Sequence, residues 1–304
     1  MPDGIVPGRI KPPETVLGAG VMITGQATDR PSEVQALFVA GPPGLNGKEV
    51  WIPTAYSRGP WSPDSLHGGP IAALFVRAAE RVPAPVDVRL SRLTVELFGP
   101  VPFVPLVIES ELLRSGKKVS TIQMTLRTAD GEEGSRVLAA ARAQRIRKVD
   151  LRFPDGAIDH VPDFPDESTP IPHWPGAADV TFHANAVEHR FVFGAFNEAG
   201  PSMDWMRLRV PVVGGEVPTG WQTAAAFSDF TNGLSSVAPF DGASMFINPD
   251  LTVSLWREPE GEWICSHAET RTSDTGIGMS QALLWDRSGR CGVGMQSLYL
   301  DRIG

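Results

Sequence analysis

Residues 64–82, DSLHGGPIAALFVRAAERV, decide how the rest of the chain is read. Ile71, Ala72, Ala73, Leu74, Phe75, Val76, Ala78 and Ala79 leave this helix apolar nearly all round. A helix of that kind is buried on most sides, and a sheet wrapped around it supplies the burial. Its start is equally unusual. Pro70 suits the first helical position, so Gly69 falls at the cap and brings no side-chain oxygen to the first-turn donors. The amides at Gly69, Ile71 and Ala72 are therefore expected to be open, and a helix start with open N–H groups stabilises an anion.

Working outward, KEVWIPTAY (48–56) precedes the helix as a strand candidate. VDVRLSRLTVELF (86–98), FVPLVIESELLR (103–114), KKVSTIQMTLRTA (117–129) and SRVLAAARAQRIR (135–147) follow it with strand-like alternation. The same order returns about 155 residues later. VEHRFVFGAF (187–196) and MDWMRLRVPVV (203–213) lead into a helix from about Thr219 to Ser235. SMFINPDLTVSLWRE (244–258), WICSHAETRTS (263–273), IGMSQALLWDR (277–287) and RCGVGMQSLYLDR (290–302) complete the repeat. The turn signals repeat too, TADGEEGS (128–135) answering WDRSGRCG (285–292). Each half reads as a strand, one long helix and an antiparallel meander of four strands, which makes the chain α+β.

The halves are bounded by composition. Residues 150–180 carry a proline every few positions over most of their length, which excludes helix interiors and marks a linker between units at 36–149 and 181–304. Residues 1–35 are rich in Pro, Gly and polar types without a period, and read as an N-terminal extension. With 304 residues, 42% hydrophobic and 20% charged, the chain is long enough for two globular domains. A net charge of -8, with RIRK (145–148) as the one basic cluster, argues against a nucleic-acid partner. The start MPDGIVPGRI lacks a signal-peptide pattern, and the apolar run IAALFV is too short to span a bilayer, so a cytoplasmic protein with no membrane segment is expected. Cys265 and Cys291 have no zinc-site spacing and read as reduced core thiols; no metal or redox cofactor is implied.

Four stretches in this order and spacing carry a resemblance: LHGGPIAALFVRAAE (66–80), AAFSDFTNGL (225–234), INPDLTVSLWRE (247–258) and GVGMQSLYLDR (292–302). Over roughly residues 40–303 the chain resembles the acyl-CoA thioesterase II family and its thioesterase-like relatives, which are double hotdog proteins. The resemblance implies hydrolysis of an acyl-CoA or other acyl thioester by an activated water. The water is held by an Asp on the second helix, a Thr or Ser on the next strand and a Gln on the last strand. The matching positions are Asp229, Asn248 and Gln296, with Asn248 standing where the family carries a hydroxyl. Thr252 is the nearest hydroxyl, but it lies about 13 Å further along an extended strand. The resemblance also places the site between two units, with His67, Gly68, Gly69 and Ile71 at the helix start of one facing the acid of the other. It further implies association into a homodimer or higher oligomer.

The residues themselves leave several readings open. A carboxylate among Ala224, Ala225, Ala226, Phe227 and Phe230 costs several kcal/mol if buried unpaired, so Asp229 needs partners, a purpose, or a place at the open helix end beside Asn232. As a general base it would take a proton from the attacking water. Gln296 faces inward or outward by strand alternation, and NPD at Asn248 is also a turn signal. The two glycines also suit tight helix packing, and His67 also suits a packed position. Thr219 and Gln222 form a capping box that closes the second helix, and no acid lies at the corresponding place, Val76 to Ala78, on the first helix. One competent site per chain is therefore expected. HGGP with GMSQA (278–282) also suggests an α/β-hydrolase, but no histidine follows His267; SDFTNGL lacks the histidine of a hydratase site. The remaining alternative is a catalytically weak hotdog protein that binds acyl or acyl-CoA-like ligands.

Overall fold

A computed structural model describes residues 35–302 except 45–46, 131–135, 152–159, 173–176, 197 and 239–243. The expected extension, up to residue 34, lies outside the described residues. The first half runs β1 (Phe38–Ala40), β2 (Val50–Pro53), a 3-10 turn (Ala55–Ser57), α1 (Gly68–Arg81), β3 (Val88–Leu97), β4 (Leu106–Ser115), β5 (Val119–Thr128) and β6 (Ala139–Arg147). The second runs from a π-helical turn (Phe182–Ala186) through β7 (Val187–Phe193), β8 (Ser202–Leu208), α2 (Gly220–Ser228), α3 (Thr231–Leu234) and β9 (Ser244–Ile247). It ends in β10 (Asp250–Leu255), β11 (Trp263–Thr272), β12 (Ile277–Asp286) and β13 (Gly289–Arg302). No described helix is long and apolar enough to cross a membrane.

The strands form one antiparallel sheet in the order β1-β2-β4-β5-β6-β3-β10-β13-β12-β11-β8-β7, with β9 on β13. The run β4-β5-β6-β3 is matched by β11-β12-β13-β10, so the repeated signals do mark a repeated strand order. The expected four-strand meander is corrected: β3 folds back beside β6 instead of pairing with β4. That placement leaves β3 at the inner edge of its half, where β10 satisfies its open backbone groups, Leu93 opposite Val253. GMSQA lies inside β12, with no strand-to-helix elbow, which removes the α/β-hydrolase reading.

Inside the sheet, α1 buries Ile71, Ala72, Ala73, Leu74, Phe75 and Val76 as its sequence demands. The two long helices pack directly on each other, because Gly69 has no Cβ to collide with the Ala226 carbonyl. Arg77, the one cation buried on α1, forks onto Glu216 at 2.7 Å and lies 4.1 Å over the Trp51 ring. The capping box is half realised. Thr219 accepts from the Gln222 amide at 3.1 Å, but the Gln222 side chain donates to Glu80 of α1 at 2.8 Å. Part of the expected linker is docked on the second half: the Trp205 indole donates to the Asp163 carbonyl at 2.8 Å, and the Thr169 amide to that of His189 at 2.7 Å. Cys265 and Cys291 are buried free thiols, and burial pushes both above the ordinary thiol range, Cys291 to about 12.

The far end of α1 is closed by Arg145, which is buried and so does not belong to an exposed basic cluster. Its guanidinium donates to the Val82 carbonyl at 2.5 Å and the Ala79 carbonyl at 3.4 Å, and to the Ser120 hydroxyl at 3.2 Å. Removing it leaves those acceptors without their donor. Arg145→Ala is therefore expected to lower the unfolding free energy by about 1–3 kcal/mol, read from urea denaturation with an unchanged slope. An unshifted midpoint would show that Arg145 does not cap the helix.

Candidate active site

The second helix does not run unbroken from Thr219 to Ser235 as the sequence suggests. α2 stops at Ser228, and α3 begins at Thr231. Around the break, hydroxyls bond back to carbonyls: Ser228 to Ala224, Thr231 to Ser228 and Ser235 to Thr231, each at 2.7 Å. The Phe230 amide reaches only three residues back, to Phe227 at 3.0 Å. Such bonds compete with the regular ladder and bend a helix. The bend puts Asp229 at the end of α2, where its side chain meets the N-terminus of α1.

Asp229 is 8% exposed, so the protein itself must solvate its carboxylate. Oδ1 accepts from Asn248 Nδ2 at 2.9 Å and Gln296 Nε2 at 3.2 Å. Oδ2 lies 2.7 Å from His67 Nδ1. The Gly69 amide sits 3.1 Å from the same ring nitrogen and also bonds the Asp229 carboxylate. A ring nitrogen that close to a carboxylate oxygen carries a hydrogen and has no lone pair to offer, so the Gly69 donor belongs to Asp229. Burial pushes the Asp229 carboxyl up, but His67, Asn248 and Gly69 together outweigh it, and the group lies below its ordinary range. The positive end of the α1 dipole acts in the same direction.

The helix start differs from expectation in a way that follows from this carboxylate. The cap is His67, with Gly68 as the first helical residue, and not Gly69. A Cβ at Gly68 would lie 2.7 Å from Asp229 Oδ2, so glycine is required there by the close approach of the anion. The expectation of open amides is corrected for Gly69, which serves Asp229, and for Ile71, which in a helix starting at Gly68 meets the His67 carbonyl. Among the described residues no acceptor takes the Gly68 amide, which is half-buried.

The structure thus brings His67, Gly68 and Gly69 of the first half to Asp229, Asn248 and Gln296 of the second; Ile71 stays inside its helix. Gln296 is 1% exposed, facing inward, and its Oε1 accepts from the Asn232 backbone N–H at 3.1 Å. Asn248 occupies the break between β9 and β10, combining the turn with the contact to Asp229. Thr252 points elsewhere and bonds Thr94 across the seam at 3.2 Å. Two rings with no signal in the sequence complete the site. Phe182 and Phe230 stack at 5.3 Å and 2°, each 5.0 Å from the His67 ring. Among the described residues no three His, Cys, Asp or Glu side chains converge as metal ligands do.

Comparison with known proteins supplies the family and the fold of the chain. The N-terminal domain model of acyl-CoA thioesterases matches residues 57–145, and the C-terminal domain model residues 159–300. A hot dog fold protein of unknown function from Alicyclobacillus acidocaldarius is 18% identical, with 86% of this chain and 96% of that one covered at a TM-score of 0.63. The tesB protein of Mycobacterium avium is 17% identical, with 84% and 93% covered at 0.58. An acyl-CoA thioesterase II, TesB2, from Mycobacterium marinum is 16% identical, with 79% and 91% covered at 0.55. At these identities the likeness establishes the hotdog fold. No curated protein matches the chain by sequence.

The lowered Asp229 carboxyl has a pH signature with a definite sign. A group held below its unfolded value binds fewer protons in the native state, so its contribution is complete above the ordinary carboxyl value and lost as pH falls through the native one. Relative to Asp229→Asn, the wild type should therefore show a constant stability difference at neutral pH that shrinks as pH drops below 3.8. Denaturation midpoints across pH measure it, and parallel curves down to the lowest folded pH would contradict the assignment.

Proposed function

The chain belongs to the acyl-CoA thioesterase family, and we propose that it hydrolyses acyl thioesters, acyl-CoA among them, with a water activated at Asp229. In this reading it is a double hotdog, with units at 36–149 and 181–304 joined by 150–180. The strand order repeated on either side of the β3–β10 seam supports that division. The observation that carries the activity is the convergence of His67, Gly69, Asn248 and Gln296 on one buried anionic carboxylate.

His67 fixes Oδ2, Gly69 adds a donor to the carboxylate, and Oδ1 is the working oxygen. The Gln296 contact at 3.2 Å is longer than that of Asn248 at 2.9 Å, so Gln296 is the donor that an incoming water displaces. The water then donates one hydrogen to Oδ1, accepts from Gln296 Nε2, and keeps a lone pair for the thioester carbonyl carbon. As that bond forms, Asp229 takes the water proton, and the carbonyl oxygen becomes an oxyanion held by the Gly68 amide at the positive end of α1. Collapse breaks the C–S bond and releases the thiolate, which takes up the proton held by Asp229 and so restores the carboxylate. Thiols ionise near pH 8.5, so the leaving group needs no strong acid beside it.

A second reading has its own observation. Both oxygens of Asp229 are already engaged by protein donors, as suits a site that holds acyl-CoA-like ligands without cleaving them. Thiol release from a panel of acyl-CoAs separates the two. The wild type should release thiol, and Asp229→Asn should lower kcat by about 10²- to 10⁴-fold. Equal rates in the two proteins would remove Asp229 from the mechanism, and tight binding of the panel with no release would favour the binding protein.

A further inference from the structure

Behind the site lies a second acid–histidine pair that the proposed chemistry does not use. His189 of β7 and Asp204 of β8 are both 0% exposed, with Nδ1 and Oδ2 2.6 Å apart. The other ring nitrogen, Nε2, lies 2.9 Å from the His183 carbonyl. A carbonyl only accepts, so Nε2 carries a hydrogen. The second oxygen of Asp204 accepts from the Arg190 amide at 2.9 Å. One further proton is shared between Nδ1 and Oδ2. Whichever atom holds it, the pair is neutral overall, which is what makes complete burial tolerable.

The pair touches the parts that frame the site. His183 belongs to the π-helical turn Phe182–Ala186, whose first residue lies tilted against the His67 ring at 5.0 Å. By holding the His183 carbonyl, His189 fixes that turn. The ring of His189 also stands edge-on to Phe230 at 5.6 Å, and Phe196 stands edge-on to both, 5.2 Å from His189 and 5.9 Å from Phe230. Phe230 is the neighbour of Asp229 and the second ring against His67. Both rings against the His67 imidazole are thus tied to His189, Phe230 by direct contact and Phe182 through the neighbouring His183 carbonyl, and Phe182 also stands 3.0 Å from the place a Cβ would occupy at Gly69.

We infer that His189 and Asp204 form a positioning pair, which acts through Phe182 and Phe230 to keep the His67 ring locked on Asp229. The inference rests on the site reading above for its kinetic consequence but not for its structural one. A displacement of about 1 Å at reacting groups can cost about 10²-fold in rate, so a remote pair of this kind acts mainly on kcat.

The test has two readouts on the full-length protein. In 15N-labelled wild type, the His67 Nδ1–H proton, assigned by its absence in His67→Gln, should be visible as a slowly exchanging signal bonded to Asp229. His189→Ala should lose that signal and lower kcat by about 10- to 10²-fold, with KM little changed. Asp204→Asn should retain the signal and most of kcat, because an amide can donate to Nδ1 of a neutral ring while accepting from Arg190. A folded His189→Ala that is merely less stable, with the His67 signal intact, overturns the inference whatever its activity. Should His189→Ala fail to fold, Phe230→Leu removes the ring between the two histidines and leaves the pair; an unchanged His67 signal there is equally decisive. If the wild type hydrolyses no acyl-CoA, the proposed activity fails, and the imidazole signal alone decides the positioning role.

Discussion

A carboxylate taken out of water has to be solvated by whatever the fold supplies, and at Asp229 the fold supplies four donors from three distant regions. His67 and Gly69 come from the start of α1, Asn248 from the break between β9 and β10, and Gln296 from β13. Asn248 and Gln296 share a half of the chain with the acid, but His67 and Gly69 reach it only because the halves are joined as they are. The seam between β3 and β10 sets the relative position of the two halves of the sheet, and the contact of Gly69 with the Ala226 carbonyl brings the helices together inside it. A side chain at Gly69 would separate the helices; one at Gly68 would occupy the place of the carboxylate. The adjacent glycines therefore serve two different close approaches, one of backbone to backbone and one of backbone to an anion.

What the sequence reveals of this follows from how local each signal is. The burial of α1 is legible because its apolar residues leave no polar face, and the strands because alternation and Asp–Gly turns sit within single segments. Strand order is a different kind of information. β3 pairs with β6 and β10, segments remote in the chain, and nothing in VDVRLSRLTVELF distinguishes those partners from β4. The break after Ser228 was hidden for another reason: the hydroxyls that cause it are compatible with a helix until their bonds to the preceding turn are seen.

The candidate site divides along the same line. Asp229 stands out as an acid in an apolar helix, and the inward parity of Gln296 is one of two choices that strand alternation allows. The cap of α1 could not be read. A local reading looks for an oxygen just before the helix and, finding glycine and proline, leaves the donors open. Here the oxygen arrives from the other half of the chain. A cap supplied in trans shifts the helix start to Gly68 and recruits His67, whose partner no neighbouring residue announces. His189 and Asp204 are invisible for the same reason, since each is an ordinary residue on a strand until the two strands pair.

The asparagine at 248 bears on how strong a base this site holds. A hydroxyl donates and accepts, and so can bond a water and a carboxylate interchangeably; the Nδ2 of an amide only donates. At 2.9 Å from Oδ1, that donor is committed to the acid. That bond gives Asp229 a donor that holds its carboxyl below the ordinary range, and it leaves the Asn248 carbonyl oxygen as the acceptor for a water. A weaker base removes a proton with less driving force, but it is ionised over a wider span of pH and is fixed in one orientation by its own shell. In this chain, unlike one with a hydroxyl at 248, the proposed chemistry relies on the placement of the carboxylate more than on its basicity. That is why contacts that only hold the frame, the paired rings and the buried pair behind them, acquire weight in the site.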